Sequence, residues 1–201
     1  MNANIDDLRY IRSTMERSGK FLSLSGMSGV IAGLLALAGA AVAYQVVYQG
    51  YTFTGNTLAD MILIAGIVLV GAVSFGVYFS FRKAKKTGAK FWMPVTLQLL
   101  KDAGVPLAVG GVFSILLIYH NTSFLVASAM LVFYGLALIS AGARTYRDIK
   151  ILGVCEVVIG ILAGIFTQYG LFLWALGFGV MHILYGIVLY KKYDSEPDKN
   201  D

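Results

Sequence analysis

The sequence predicts an all-α membrane protein: a six-transmembrane-helix bundle of three helical hairpins, preceded by a short amphipathic interfacial helix. Three observations predict it. Apolar runs of about 20 residues, the length that crosses a hydrocarbon core, recur along the chain. The 16 Lys and Arg fall in four groups, at 9–20, 82–101, 144–150 and 191–199. Between successive groups lies a pair of apolar runs, and the short link inside each pair holds no Lys or Arg. Such one-sided placement is the positive-inside rule, and it puts both termini in the cytoplasm. Third, Tyr44, Tyr48, Tyr51, Tyr119, Tyr169 and Trp174 gather at one set of run ends, and Tyr78, Phe81, Phe91, Trp92, Tyr146 and Tyr190 at the other. Amphipathic rings favour those two depths.

Composition agrees. The chain of 201 residues is 58% hydrophobic, with a mean hydropathy of +0.74, whereas soluble domains hold about 45–50% apolar residues. Six spans leave no room for a soluble catalytic domain. The net charge of +5 flanks the spans, where it meets anionic headgroups; the partner it implies is the lipid bilayer, not nucleic acid. The single Cys155 allows no internal disulfide. The acidic opening Asn4-Ile5-Asp6-Asp7-Leu8 and the long first apolar run argue against a cleaved signal peptide.

In chain order, residues 1–20 hold the amphipathic helix, with Asn4 as cap, Leu8, Ile11 and Met15 on one face and Arg12, Glu16 and Lys20 on another. The membrane domain, 21–190, contains spans at about 21–46, 59–81, 103–119, 123–142, 151–167 and 171–190. Gln98, Lys101 and Asp102 forbid deep burial of 94–102, which is expected to be an interfacial turn. Pro106 then falls in the first turn of the third span, where its missing N–H costs little. The charged stretch 191–201 is expected to be a disordered cytoplasmic tail. Val105–Gly110 with Phe133–Leu138, and Val154–Gly160 with Leu184–Leu189, are weakly repetitive. A triplicated hairpin and shared Gly-rich composition both account for that.

The stretch Ile11-Arg12-Ser13-Thr14-Met15-Glu16-Arg17-Ser18, continuing through Leu24-Ser25-Gly26-Met27-Ser28-Gly29, resembles an uncharacterised group of bacterial six-span membrane proteins. The resemblance implies a bacterial inner (plasma) membrane and carries no activity to any residue. The three-hairpin plan is also similar, in outline only, to the small six-span acid-stress membrane proteins of bacteria.

Motifs of catalysis are absent: the chain has no Walker loop, HExxH, CxxC or GxSxG. One Cys and two His make a zinc site unexpected, and no cofactor is implied. Small residues, by contrast, recur at helical spacing. Gly29 and Gly33 do so in the first span with Ser25, Gly160 and Gly164 in the fifth, and Gly179 and Gly186 in the sixth with Ala175. In lipid, helices associate by close contact that small side chains permit. These faces are expected to pack helix on helix within one chain, or to join copies or a protein partner. Leu131 is expected to face lipid or pack loosely.

One polar pair stands out. Glu156 lies 13 residues before Tyr169 and His182 lies 13 after it, so an antiparallel hairpin puts them at matching depth. An ionisable group inside a bilayer is a functional candidate by default. The pair can share a proton, bind a cation, or only glue two helices. Glu156, near the inner edge, can also reach interfacial water. If the two touch, Glu156→Leu is expected to strand the imidazole. Asp60, the one acidic residue at the outer face, is expected to serve the start of the second span, with Gln45 and His120 as border residues.

Two functions follow as expectations. The first is a non-enzymatic accessory or stress-related membrane protein acting through helix packing and partners. The second is a small transporter or channel for a proton, cation or small solute, using Glu156 and His182. No interrupted helix of the kind that many transporters use is apparent.

Overall fold

The computed structural model of the chain describes Phe21 and residues 23–195. The amphipathic helix expected within 1–20 and the end of the expected tail lie outside the described residues. The regular structure among them is all helical, without a strand. We number the helices α1 (Gly26–Tyr48), α2 (Thr57–Lys86), α3 (Pro94–Tyr119), α4 (Ser123–Ala141, opening with a 3-10 turn), α5 (Arg147–Ile165) and α6 (Thr167–Asp194).

Local chemistry sets the borders. Ser25 is extended, at φ −95° and ψ 133°, so α1 begins at Gly26 rather than near 21. Beyond its C-cap, Gln49, the chain turns at Gly50, whose φ of +71° lies in the left-handed region that favours glycine. Asn56 caps α2, its side-chain oxygen accepting from the N–H groups of Leu58 and Ala59.

The third span differs from expectation. Residues 94–119 form one continuous helix with Pro94 in its first turn, and Pro106 stands inside it rather than at its start. Lys101 and Asp102 are carried on that helix, Asp102 pairing with Arg144 of the α4–α5 link at 2.5 Å, so the polar residues need no break in the winding. Asn121, at φ 58°, turns the chain into α4; Asn tolerates this conformation better than most residues.

The sixth segment is not one regular helix either. A 3-10 turn at Thr167–Tyr169 leads into α-helix at Gly170–Trp174, π-helix at Ala175–Met181, α-helix at His182–Leu189 and π-helix at Tyr190–Asp194. The winding therefore continues four residues into the stretch expected to be a disordered tail. Partners hold it there: Lys192 and Tyr193 bind Asp148, and Asp194 binds Lys83.

Helices α1, α4, α5 and α6 form the centre. The most extensive packing is α5 on α4, and α6 lies against α1 and α5. α2 leans on α1 and α3 on α4, so both stay peripheral. None of the apolar window of α2 and only 6% of that of α3 is buried. Close contact replaces the hydrophobic effect as the source of association in lipid, and the central helices show it. A Cβ on Gly135 of α4 would stand 2.6 Å from the Gly153 carbonyl of α5, and one on Gly153 would stand 2.6 Å from the Gly135 carbonyl. Leu131, expected to face lipid, is fully buried with Ile159 and Ala163, because α5 and α6 close over that side of α4.

Candidate functional site

Glu156 projects from the middle of α5 and is wholly enclosed, at 0% exposure; it does not reach interfacial water. Gly177 and Leu131 wall it in. A Cβ on Gly177 would lie 2.5 Å from both Glu156 Oε2 and Leu131 Cδ2, so a larger residue there would have to displace one of these side chains. His182, at the end of the π-helical turn, brings Nδ1 to 3.4 Å from Glu156 Oε1. That is ion-pairing distance, yet neither oxygen of Glu156 accepts a hydrogen bond.

His182 is satisfied elsewhere. Its Nδ1 lies 3.1 Å from the Gly177 carbonyl oxygen and its Nε2 2.8 Å from the Tyr134 hydroxyl. Both neighbours of Nδ1 are acceptors when Glu156 is ionised, so Nδ1 then carries hydrogen. The Tyr134 hydroxyl can donate to Nε2 or accept from it. Aromatic rings frame the imidazole: Phe178 stacks on it with 6.0 Å between centroids, and Tyr134 lies 5.4 Å away. Turns of π-helix inside α-helices are frequent at functional sites, and this one supplies Gly177 and ends at His182.

The sequence pairs Glu156 with His182 by depth, and the structure sets them side by side. Tyr134 and Gly177 are missed by that reading. Tyr134 carried a signal: it is a tyrosine deep within a span, far from either aromatic belt. Gly177 carried none, because it is out of step with Ala175, Gly179 and Gly186.

The packing glycines face neighbours within the chain. Gly29 meets Gly186 and the His182 carbonyl, and Gly33 meets the Gly179 carbonyl and Ile183. Gly179 takes Leu37, Gly160 takes Val132, and Gly164 takes Ser128. The Ser128 hydroxyl donates to the Gly160 carbonyl at 2.7 Å.

A second polar assembly ties the helix ends on the basic side. Lys83 of α2 pairs with Asp194 of α6 at 2.6 Å and donates to the Leu24 carbonyl and the Tyr146 hydroxyl. Asp194 Oδ2 accepts from Gly26 N–H and the Ser25 hydroxyl. Phe21 bonds to Arg144 and Thr145. Burial pushes the Asp148 carboxyl up, but hydrogen bonds from Tyr193 and Lys192 outweigh it and hold the group below its usual range.

Gln45, His120 and Asp60 are not brought to Glu156. Gln45 lines an open groove of about 440 Å3 between α1 and α6, near the end of α1 and the start of α6, with Tyr44, Phe172 and Ala175. His120 caps α3 and meets the Tyr119 ring. Asp60 folds the preceding link onto α2, accepting from Phe53 N–H, Thr54 N–H and the Thr54 hydroxyl.

Five helices long and apolar enough to cross a bilayer, with polar side chains collected inside the bundle and at its ends, define a multi-pass membrane protein. No protein-family profile, curated protein or solved structure matches this chain.

Proposed function

We propose that the chain is a six-span protein of a bacterial inner membrane, built of three hairpins, with both termini in the cytoplasm. Five helices pass on length and apolarity. The sixth, α5, is headed by Arg147, Asp148 and Lys150 and interrupted by Glu156. Parity supports counting it. Asp194, at the end of α6, touches Gly26 at the start of α1, and two ends at one level are what an even number of crossings gives. In a background lacking Cys155, cysteines at Gly55, Thr122 or Gly170 should react with an impermeant thiol reagent from outside. Those at Thr87 or Ser195 should react only once the inner side is opened. Labelling of Thr87 in intact cells would overturn this topology.

Within that frame we read the protein as a non-enzymatic accessory or stress-related membrane protein, acting through helix packing and partners. The observation that carries this reading is the enclosure of Glu156: its side chain has no exposure, and the grooves along α3 and between α1 and α6 are lined without it or His182. The transport reading draws on a different observation. An acidic group whose two oxygens accept no hydrogen bond stands beside a π-helical turn, and interrupted helices form many transporter sites. Liposomes carrying the purified protein and a pH-sensitive dye separate the two. The accessory reading expects proton flux equal to that of empty liposomes. Flux that Glu156→Gln abolishes would replace it with transport.

A further inference from the structure

We propose that Glu156, His182 and Tyr134 form a buried site that binds one proton and keeps the Glu156–His182 pair net neutral. The inference goes beyond both functional readings, because a proton can be held here whether or not it crosses the membrane.

The carboxyl group states the need. Its two oxygens are buried without a hydrogen bond, and a bare carboxylate in such surroundings is among the costliest groups to bury. Something must cancel its charge. A metal ion does not suit the site. Glu156 and His182 offer two ligating side chains, no group of three His, Cys, Asp or Glu able to hold a metal occurs among the described residues, and a structural or oxygen-bound cation takes about four ligands or more. Gly177 lies so close that a Cβ added to it would stand 2.5 Å from Oε2. A proton needs no room.

The neighbours provide for it in compatible arrangements. In the first, Glu156 is the acid, Nδ1–H of His182 donates to the Gly177 carbonyl, and the Tyr134 hydroxyl donates to Nε2. In the second, His182 is the other tautomer, which gives up the bond to the Gly177 carbonyl 3.1 Å away and so is the route by which the proton moves rather than where it rests: Nε2–H donates to the Tyr134 oxygen, and the acid O–H of Glu156 faces the free Nδ1 lone pair across 3.4 Å. Moving that proton breaks the O–H bond of Glu156 and forms an N–H bond on Nδ1. This leaves a carboxylate beside an imidazolium with the number of protons unchanged. Each arrangement is net neutral, and Tyr134 serves them all because a hydroxyl both donates and accepts.

Among the described residues, the ion-pair partner of Glu156 is His182. The titratable side chains facing Glu156 are His182 from α6 and Tyr134 from α4. Cys155, its neighbour on α5, is half-buried. α1, packed on α6, carries no charged side chain between Gly26 and Tyr48; its titratable groups, Tyr44 and Tyr48, lie at its outer end.

The test is magnetic resonance of the full chain in lipid bilayers at neutral pH, with carbon-13 in Glu side chains and nitrogen-15 in His rings. The chain has two His and few Glu. His120→Gln, at the exposed end of α3, leaves His182 as the single imidazole, and Glu156→Gln identifies the Glu156 signal. The expected result is a carboxylic acid beside a neutral imidazole, or a carboxylate beside an imidazolium. A carboxylate beside a neutral imidazole at neutral pH would overturn the proposal, as would an acid beside an imidazolium. Neither result depends on proton flux, so this inference and the functional readings fail separately.

Discussion

Asp194 Oδ2 accepts a hydrogen bond of 2.9 Å from the backbone N–H of Gly26, a residue 168 positions earlier. The last turn of α6 thereby caps the first turn of α1, where Ser25 makes no side-chain cap of its own. A carboxylate at a helix N-terminus meets both free N–H groups and the positive end of the helix dipole. Lys83 completes the clamp from α2 at 2.6 Å. Asp194→Ala should cost about 1–3 kcal/mol, since it uncaps α1 and leaves a largely buried ammonium without its counter-charge. Asp194→Asn should lose less, because it keeps an acceptor. Thermal unfolding in detergent measures both, and a wild-type midpoint for Asp194→Ala would show that the clamp contributes nothing.

The glycines divide into two groups that should respond in opposite ways. A Cβ on Gly153 or Gly33 would stand 2.6 Å from a backbone oxygen of the facing helix, and backbone cannot swing aside. Gly153→Ala and Gly33→Ala should therefore cost about 1–3 kcal/mol through overpacking. A Cβ on Gly66 or Gly76 meets nothing within 4 Å. Alanine there should be neutral or stabilising by up to about 1 kcal/mol, through helix propensity alone. The fraction of protein that stays monodisperse after heating compares the four variants. Equal losses in both groups would mean that α2 is covered by something other than lipid.

The sequence made legible whatever depends on periodicity and charge: which stretches are apolar, and where the basic residues gather. Glu156 and His182 could be paired because depth in an antiparallel hairpin is arithmetic. What stayed hidden depends on the phase of one helix against another. A π-helical turn shifts that phase, and nothing in Ala175-Leu176-Gly177-Phe178-Gly179-Val180-Met181 announces it. Leu131 reads the same whether it faces lipid or protein, since the bilayer is as apolar as a core. Its burial follows only from α5 and α6 closing over α4. Leu131→Ala should accordingly cost about 2–5 kcal/mol, as buried large-to-small changes do.

Acid should weaken the basic end of the bundle. Asp148 accepts from Tyr193 Oη–H at 2.8 Å and from Lys192 Nζ at 3.1 Å. These bonds, with the Lys192 charge, hold its carboxyl below the ordinary range despite desolvation. The folded value lies beneath the unfolded one, so the stabilisation is complete above about pH 4, the unfolded value. It is lost as the pH falls through the folded value. Lys192 behaves in the opposite sense. Raised by bonds to Tyr193 and Asp148, it contributes fully below its unfolded value and loses that contribution as the pH rises through the folded one. Midpoints of thermal unfolding followed from neutral pH downward should fall more steeply for the wild type than for Asp148→Asn. Identical acid limbs would assign the loss to other carboxylates.

The sharpest prediction concerns Glu156, where the structure reverses the expectation from sequence. Removing the carboxylate does not strand His182, because Nδ1 still reaches the Gly177 carbonyl and Nε2 the Tyr134 hydroxyl. Glu156→Leu takes away two buried oxygens that accept no hydrogen bond and leaves an apolar side chain against Leu131. Replacing buried ionisable groups by apolar ones of similar volume is often neutral or stabilising. The variant should therefore unfold at or above the wild-type midpoint in the same detergent at neutral pH. Glu156→Gln should fold but rank below it, since the amide stays polar without gaining an acceptor of its own. Tyr134→Phe should rank lowest, losing about 1–3 kcal/mol, because it leaves Nε2 of a 7%-exposed histidine without its partner. If Glu156→Leu fell below Tyr134→Phe, the carboxyl would be holding α5 to α6, and its place in the membrane would need no proton to explain it.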